Sequence, residues 1–506
     1  MTHLLLHNAR VLTMDPRRPR ARAVAVQGGR IAAVGTEVEA LAAAGPNSQR
    51  IDCAGGALLP AFIDAHCHLL SYAASLRSVD CTGARSIDDI MQAVRDRAAG
   101  TPPGQWVRAF GYEETSLREG RHPDRHDLDA AAPDHPVRLV HRSGHASVLN
   151  SAALRSAGID IATEEPPGGV IERDLSTGEP SGVLLGMERV IDRIAPPLPY
   201  EALAAGVREA SGRLLSAGIT CVVDATHTNG PVEWALFERL IAGGALDIDV
   251  VLMEGIEHLG ELPESAAGGR LRRGPVKIIL HELGDHIAPD EAELARQVWA
   301  VHTAGRQVAI HAVGERTVAA TTSAIESALR RLPRDDHRHR IEHCGLLPEG
   351  LAPRLARLSI VVVSQPGFVA ERGERYLQLV PPEQLASLYA FRTLTEAGVS
   401  LAAGSDAPVT APVPLASVAA AIDRATPSGR SVGPEQAVTA GEAIRWWTAR
   451  AAHSAFLENE RGMVRAGLRA DLLLLAADPL DMTPGDLRAA AVEAVWQGGK
   501  AALIGG

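Results

Sequence analysis

Eight short apolar runs constrain this 506-residue chain more than any other feature: 58–68, 219–224, 248–253, 276–281, 307–311, 340–343, 360–365 and 399–406. They are rich in Val, Ile, Leu and Ala and carry little strand-like alternation, as strands buried on both faces do. Helical segments lie between them, and parallel strands need such crossovers. The pattern predicts an α/β protein built on a closed (β/α)8 TIM barrel, with reactive groups at the carboxyl ends of the strands.

The two ends of the chain read differently. Short strand-like runs parted by the glycine turns Gly28-Gly29 and Gly498-Gly499 predict hairpins. Neither end could bury such a sheet alone, so residues 1–58 and 456–506 are expected to form one discontinuous β-sandwich beside a barrel over 59–455. The interval of about 71–200 is too long for a simple connection between the first two barrel strands. An insertion there emerges at the active face and is expected to cover its mouth. Trp106, Tyr112, Arg142 and His145 are its candidate substrate contacts, although packing suits the two aromatics as well, and a surface or core role suits His145.

The first run ends in His66-Cys67-His68. Alternation along a strand puts both imidazoles on one face, a chelating pair for zinc or a similar ion. Further metal-competent side chains stand at or near strand ends: Lys277, His311, His343 and Asp406. Each has a plainer role open to it, the histidines as satisfied core residues, Lys277 as a buried ion pair and Asp406 as a turn or capping residue. Lys277 stands out, because only it and Lys500 among the 50 basic residues are lysine. A free ammonium has no lone pair for a metal, whereas a lysine that has reacted with carbon dioxide offers an anionic oxygen pair. The same alternation groups Lys277, Ile279 and His281 on one face and Ile341 with His343 on another, and it turns Arg340 and Glu342 away from His343 as supporting or structural residues. Ala402 and Gly404 would leave space on the Asp406 face.

Composition narrows the classes. A net charge of −11, spread along the chain, disfavours nucleic acid and anionic membranes as partners. No apolar run approaches the roughly 20 residues of a membrane helix. Residues 1–8 lack the features of a signal peptide, so a cytoplasmic protein is expected, and the five scattered cysteines are expected to be reduced and mostly buried. No Gly-x-Gly-x-x-Gly fingerprint is present, and the Gly-x-Ser-x-Gly at Gly429–Gly433 follows no apolar strand-like run and so makes no nucleophile elbow, which disfavours a nicotinamide enzyme and a serine hydrolase.

Taken in order, Pro60-Ala-Phe-Ile-Asp-Ala-His-Cys-His68, Ser143-Gly-His-Ala-Ser-Val-Leu-Asn150, Val276-Lys-Ile278, Ala309-Ile-His-Ala-Val-Gly-Glu315, Arg340-Ile-Glu-His-Cys-Gly345, Ala403-Gly-Ser-Asp-Ala-Pro408 and Gly467-Leu-Arg-Ala-Asp-Leu472 resemble the amidohydrolase superfamily. The likeness is to its amidohydrolase-3 branch of N-substituted formamide deformylase-like enzymes. The resemblance implies one or two divalent metal ions, with zinc the expected ion. His66 and His68 would hold one metal, His311 and His343 a second, and carboxylated Lys277 would bridge them in a binuclear site. Asp406 would be ligand and proton shuttle. The implied reaction is hydrolysis of a C–N bond in an amide, N-substituted formamide or cyclic amide by metal-activated hydroxide. Ester, lactone or carbamate cleavage, decarboxylation, or a catalytically silent binding protein are the alternatives. One stretch departs from the branch: His281 stands where an Asp is usual, which makes His281 or His286 a further candidate for substrate or metal contact. The partner is a small-molecule substrate, and self-association stays open.

Overall fold

All eight runs form strands in the computed structural model, which describes residues 3–166, 169–187, 190–191, 196–284 and 286–504. They are β1 (Phe62–Cys67), β2 (Ile219–Asp224), β3 (Asp249–Gly255), β4 (Leu271–Ile279), β5 (Val308–Ala312), β6 (Arg340–His343), β7 (Val361–Ser364) and β8 (Ser400–Ala403). Each is parallel to the next. The barrel closes where β8 meets β1. There the Asp406 amide donates to the His66 carbonyl at 2.7 Å, and the His68 amide donates to that of Ala407 at 2.8 Å. The buried Asp64 carboxylate reinforces this seam by accepting from the Ser405 amide at 3.0 Å and the Ser405 hydroxyl at 2.5 Å.

Gly404 belongs to the same seam. A Cβ there would stand 2.6 Å from both the backbone N and the Cβ of His66. The missing side chain therefore lets two strands approach each other, and does not leave open space beside a metal. The crossover helices follow ordinary rules. In Glu315–Arg331, Val318, Thr322, Ile325 and Ala328 form the buried stripe, Glu315 opens the first turn, and Arg330 and Arg331 close the last.

The run 58–68 is not one strand. Ala57–Pro60 lies antiparallel to Leu472–Leu475, and Phe62–Cys67 starts the barrel. The chain changes sheets at Ala61, whose amide donates to the Asp471 carbonyl, while the Phe62 amide donates to Gly218. Both halves are apolar, so only their pairing partners separate them. Ala57–Pro60 thereby joins a six-stranded sheet ordered Lys500–Ile504, Val492–Gln497, Leu472–Leu475, Ala57–Pro60, Arg10–Leu12 and Arg20–Ala21. A four-stranded sheet of Arg30–Gly35, Ala23–Gln27, His3–His7 and Gln49–Asp52 accompanies it. Leu4, Leu6, Val11, Val24, Leu58, Leu472 and Trp496 form their common core.

Residues Leu69–Ala210 form a second compact unit, entered directly after His68. Its six-stranded sheet is ordered Val170–Arg173, Pro180–Leu185, Ala146–Leu149, Val137–His141, Val107–Tyr112 and Val79–Asp80. Helix Ile87–Ala99 packs Ile90 and Val94 into the core with Val107, Leu128 and Leu139. All five cysteines are buried free thiols. Among the described residues no helix is long and apolar enough to cross a membrane.

Candidate metal centre

His66 and His68 come from the end of β1, and Asp406 from the turn after β8. Their donor atoms lie within 4.8 Å of one another. Asp406 Oδ1 is 3.5 Å from His66 Nε2 and 3.1 Å from His68 Nε2. The other ring nitrogens are engaged elsewhere: His66 Nδ1 meets Glu342 Oε2 at 2.5 Å, and His68 Nδ1 meets Thr226 Oγ1 at 3.0 Å. The Glu342 carboxylate can only accept, so it puts the His66 proton on Nδ1 and leaves the Nε2 lone pair for a metal, whereas the Thr226 hydroxyl donates or accepts and fits either tautomer of His68.

His343 repeats the arrangement, with Nδ1 against Gln365 Oε1 at 2.7 Å. Its ring stands 4.9 Å from that of His66 and 4.5 Å from that of His311. Strict alternation would send His343 with Ile341, away from His311, whose register partner is Glu342. Instead the chain leaves the extended conformation at His343 (φ 74°) and Cys344 (φ 52°), and the ring turns towards His311.

Glu342 is fully buried and supports the site. Its carboxylate accepts from Arg340 Nε at 2.7 Å and Arg340 Nη2 at 2.9 Å, and Arg340 Nη2 also donates to the Ala65 carbonyl. Glu342 thus faces His66, on the side to which the His343 ring also turns. Thr226 and Gln365 were absent from the sequence candidates. The only signal for them is a polar residue just past the end of an apolar strand.

The electrostatics suit a cation site. Burial, followed by the nearby Lys277 cation, pushes His66 well below the usual imidazole range, and burial also lowers His343. Both are then neutral, as ligation requires. Burial would raise the Asp406 carboxyl, but the hydrogen bond with His68 and the surrounding imidazoles outweigh it and hold the group ionised below the ordinary carboxylate range. Lys277, 1% exposed, is pulled down to about 8 by burial, against the opposing pull of Glu342 and Asp406. At pH 7 about one-tenth of such an amine is unprotonated, against well under a thousandth for an ordinary lysine. Donor set, tautomers and charge all fit a divalent metal.

His281 leaves the face of Lys277, because β4 ends at Ile279 and the chain turns into a hairpin of His281–Leu283 with His286–Ala288, where His281 is exposed. Asp285, in the same stretch, lies outside the described residues. Trp106, Tyr112, Arg142 and His145 belong to the second unit. Trp106 packs against that unit's core, and Tyr112 is buried with its hydroxyl 2.8 Å from His122 Nδ1. His145 is exposed, its amide donating to Ser143 Oγ, while the Arg142 amide donates to the Tyr112 carbonyl.

A closed parallel barrel with imidazoles and a carboxylate converging at its strand ends defines an enzyme of the metal-dependent hydrolase class. The chain belongs to the amidohydrolase family, whose model matches residues 49–502. It is 34% identical to the N-substituted formamide deformylase of Arthrobacter pascens, with 96% of each chain covered. It is 28% identical to the Arabidopsis thaliana protein LONG AFTER FAR-RED 3, over 98% of this chain and 91% of that one. Among solved structures, an uncharacterized metal-dependent hydrolase from Pyrococcus horikoshii OT3 shares the fold with a TM-score of 0.77 and 22% identity, covering 96% of this chain and 99% of that chain.

Proposed function

We propose that this protein hydrolyses a non-peptide C–N bond, in an amide, N-substituted formamide or cyclic amide, at a binuclear zinc site. The observation that carries the reading is the set of three imidazoles, each anchored through Nδ1, grouped around the ionised Asp406. His66, His68 and Asp406 would hold one ion, His311 and His343 a second, and carboxylated Lys277 would bridge them. When bound, the ions lower the pKa of water towards about 7 and polarise a carbonyl.

The chain's own groups supply the rest. Glu342 keeps His66 in one tautomer through the reaction, and Thr226 holds the His68 ring in place. Asp406 Oδ1 takes the proton lost by water and returns it to the leaving nitrogen, which departs as a neutral amine. Burial keeps Lys277 reactive towards carbon dioxide. The deformylase of Arthrobacter pascens supports formamides as the first substrates to try, and the five buried free thiols suit a cytoplasmic location.

The test is elemental analysis of protein purified without chelators, wild type beside Lys277→Ala, followed by assay of formate and amine release from N-alkyl formamides. About two metals per chain, falling clearly in the variant, is the expected result. One metal that survives the substitution sinks the lysine bridge. A metal-loaded protein that cleaves no formamide, N-acyl amine or cyclic amide sinks the proposed reaction.

A further inference from the structure

Helix Gly367–Leu379 starts three residues after β7 ends and carries Phe368 and Arg372 one turn apart on the same face. The Phe368 ring stacks on the His343 ring, with centroids 6.3 Å apart and planes at 26°. The Arg372 guanidinium lies over Phe368, its Cζ 5.2 Å from the ring centroid. Arg372 therefore stands one aromatic ring away from the metal centre. Both Arg372 and Asp406 act electrostatically on the buried Tyr389 hydroxyl, which lies 3.2 Å from that of Tyr376.

Arg372 Nε and Nη2 are both shut off from solvent, and neither has a hydrogen-bond partner among the described residues. A guanidinium cannot shed its charge, and burying its donors unmade is costly. These two atoms form the side-on fork that grips a carboxylate with two parallel bonds. The protein uses that same pair in Arg340, on Glu342. The carboxylates on the helix itself are engaged elsewhere: Glu371 accepts from the Ala411 amide, and Glu374 from Arg430 and Ser428. A second buried donor on the same segment, Gln365 Nε2, also lacks a partner, while its Oε1 holds His343.

We propose that Arg372 binds a carboxylate on the substrate, so that the preferred substrates are amides bearing an acid group, amido acids or half-amides, and not neutral formamides. This rests on the hydrolase reading above, and it adds the anionic end of the substrate. Arg372 is a specificity residue, and Phe368 sets its distance from the metal-binding imidazoles.

The test measures binding, with no cleavage. Levulinate and its next two homologues replace the scissile N–H of an amido acid by CH2, so they have no C–N bond to break in the chain. Each is titrated calorimetrically into metal-loaded protein beside the neutral diketone in which a methyl group replaces its carboxylate O−. A carboxylate on the Nε and Nη2 donors predicts that at least one acid binds about 10–100-fold more tightly than its diketone. Arg372→Gln should abolish that ratio while metal content stays at the wild-type value, and Arg372→Lys, which keeps charge without the fork, should restore it in part. Acids that bind no better than their diketones in the wild type overturn the proposal. So does a preference that survives in Arg372→Gln, which would put the carboxylate on the metal. The wild-type comparison stands even where a variant fails to fold. Failure to hydrolyse formamides bears on the reaction alone, because nothing is cleaved in these titrations.

Discussion

Replacing Glu342 by glutamine changes one atom in the buried chain that links Arg340, Glu342 and His66. The carboxylate accepts three hydrogen bonds: Oε1 takes Arg340 Nε, and Oε2 takes Arg340 Nη2 and His66 Nδ1. Glutamine has one oxygen and one NH2 group. With the NH2 in place of Oε1 it opposes Arg340 Nε; in place of Oε2 it opposes two donors at once. Either way Arg340 is left fully buried without its counter-ion. Breaking such a pair costs about 3–5 kcal/mol, a large part of the roughly 5–15 kcal/mol that holds a domain together. The same change frees the His66 ring, and on the ligand role proposed for His66 the loss of its Nδ1 partner should weaken metal binding by about 10–100-fold. Urea unfolding of chelator-treated protein reads the first effect, and zinc competition against a fluorescent chelator reads the second. A variant that loses stability in the metal-free state yet binds zinc as tightly as wild type would refute the positioning role of Glu342 and leave it a purely structural residue.

Two other predictions follow from the fold. Gly404→Ala should cost about 1–3 kcal/mol and lower metal content, because the new methyl meets the His66 backbone and not a flexible side chain; unfolding midpoint and zinc content together check this, and a fully stable, metal-replete variant would refute it. At the opposite end of the barrel strands, His302 Nδ1 meets His339 Nε2 at 2.8 Å, and His337 Nδ1 accepts from the His339 amide at 2.8 Å. Burial lowers both His337 and His339 below their unfolded value near 6.5. The unfolded chain then binds more protons than the folded one, so stability is full above about pH 6.5 and falls as pH drops below it, by at most about 1.4 kcal/mol per pH unit for each group. Urea midpoints between pH 7.5 and 5.5 should show the slope, and His339→Gln should lessen it, the other buried histidines keeping the rest; an unchanged slope in the variant would rule out a contribution from His339.

The barrel was legible because its strands are continuous apolar runs at the right spacing, a signal that survives in one dimension. What failed was direction. Alternation set Glu342 on a face of its own, but it could not say that this face held His66, 276 residues earlier in the chain. It also mispointed His343, where a positive φ at a non-glycine residue breaks the period, and it carried β4 on to His281 after the strand had ended. The split at Ala61 left no trace, since Leu58 and Ile63 are equally apolar and differ only in their partners. Arg372 carries no motif at all. Its meaning comes from what does not touch it.

The seam at which β8 meets β1 has a consequence for biosynthesis. Asp64 and Ser405, which bond across it, are 341 residues apart in sequence. At a ribosomal pace of 5–20 residues per second, roughly 17–70 s separate the emergence of the first imidazole pair from that of the carboxylate it faces. Throughout that interval a nascent chain displays His66 and His68 with no opposing Asp406, so the three-residue cluster is completed only in the finished cylinder and not on the growing chain.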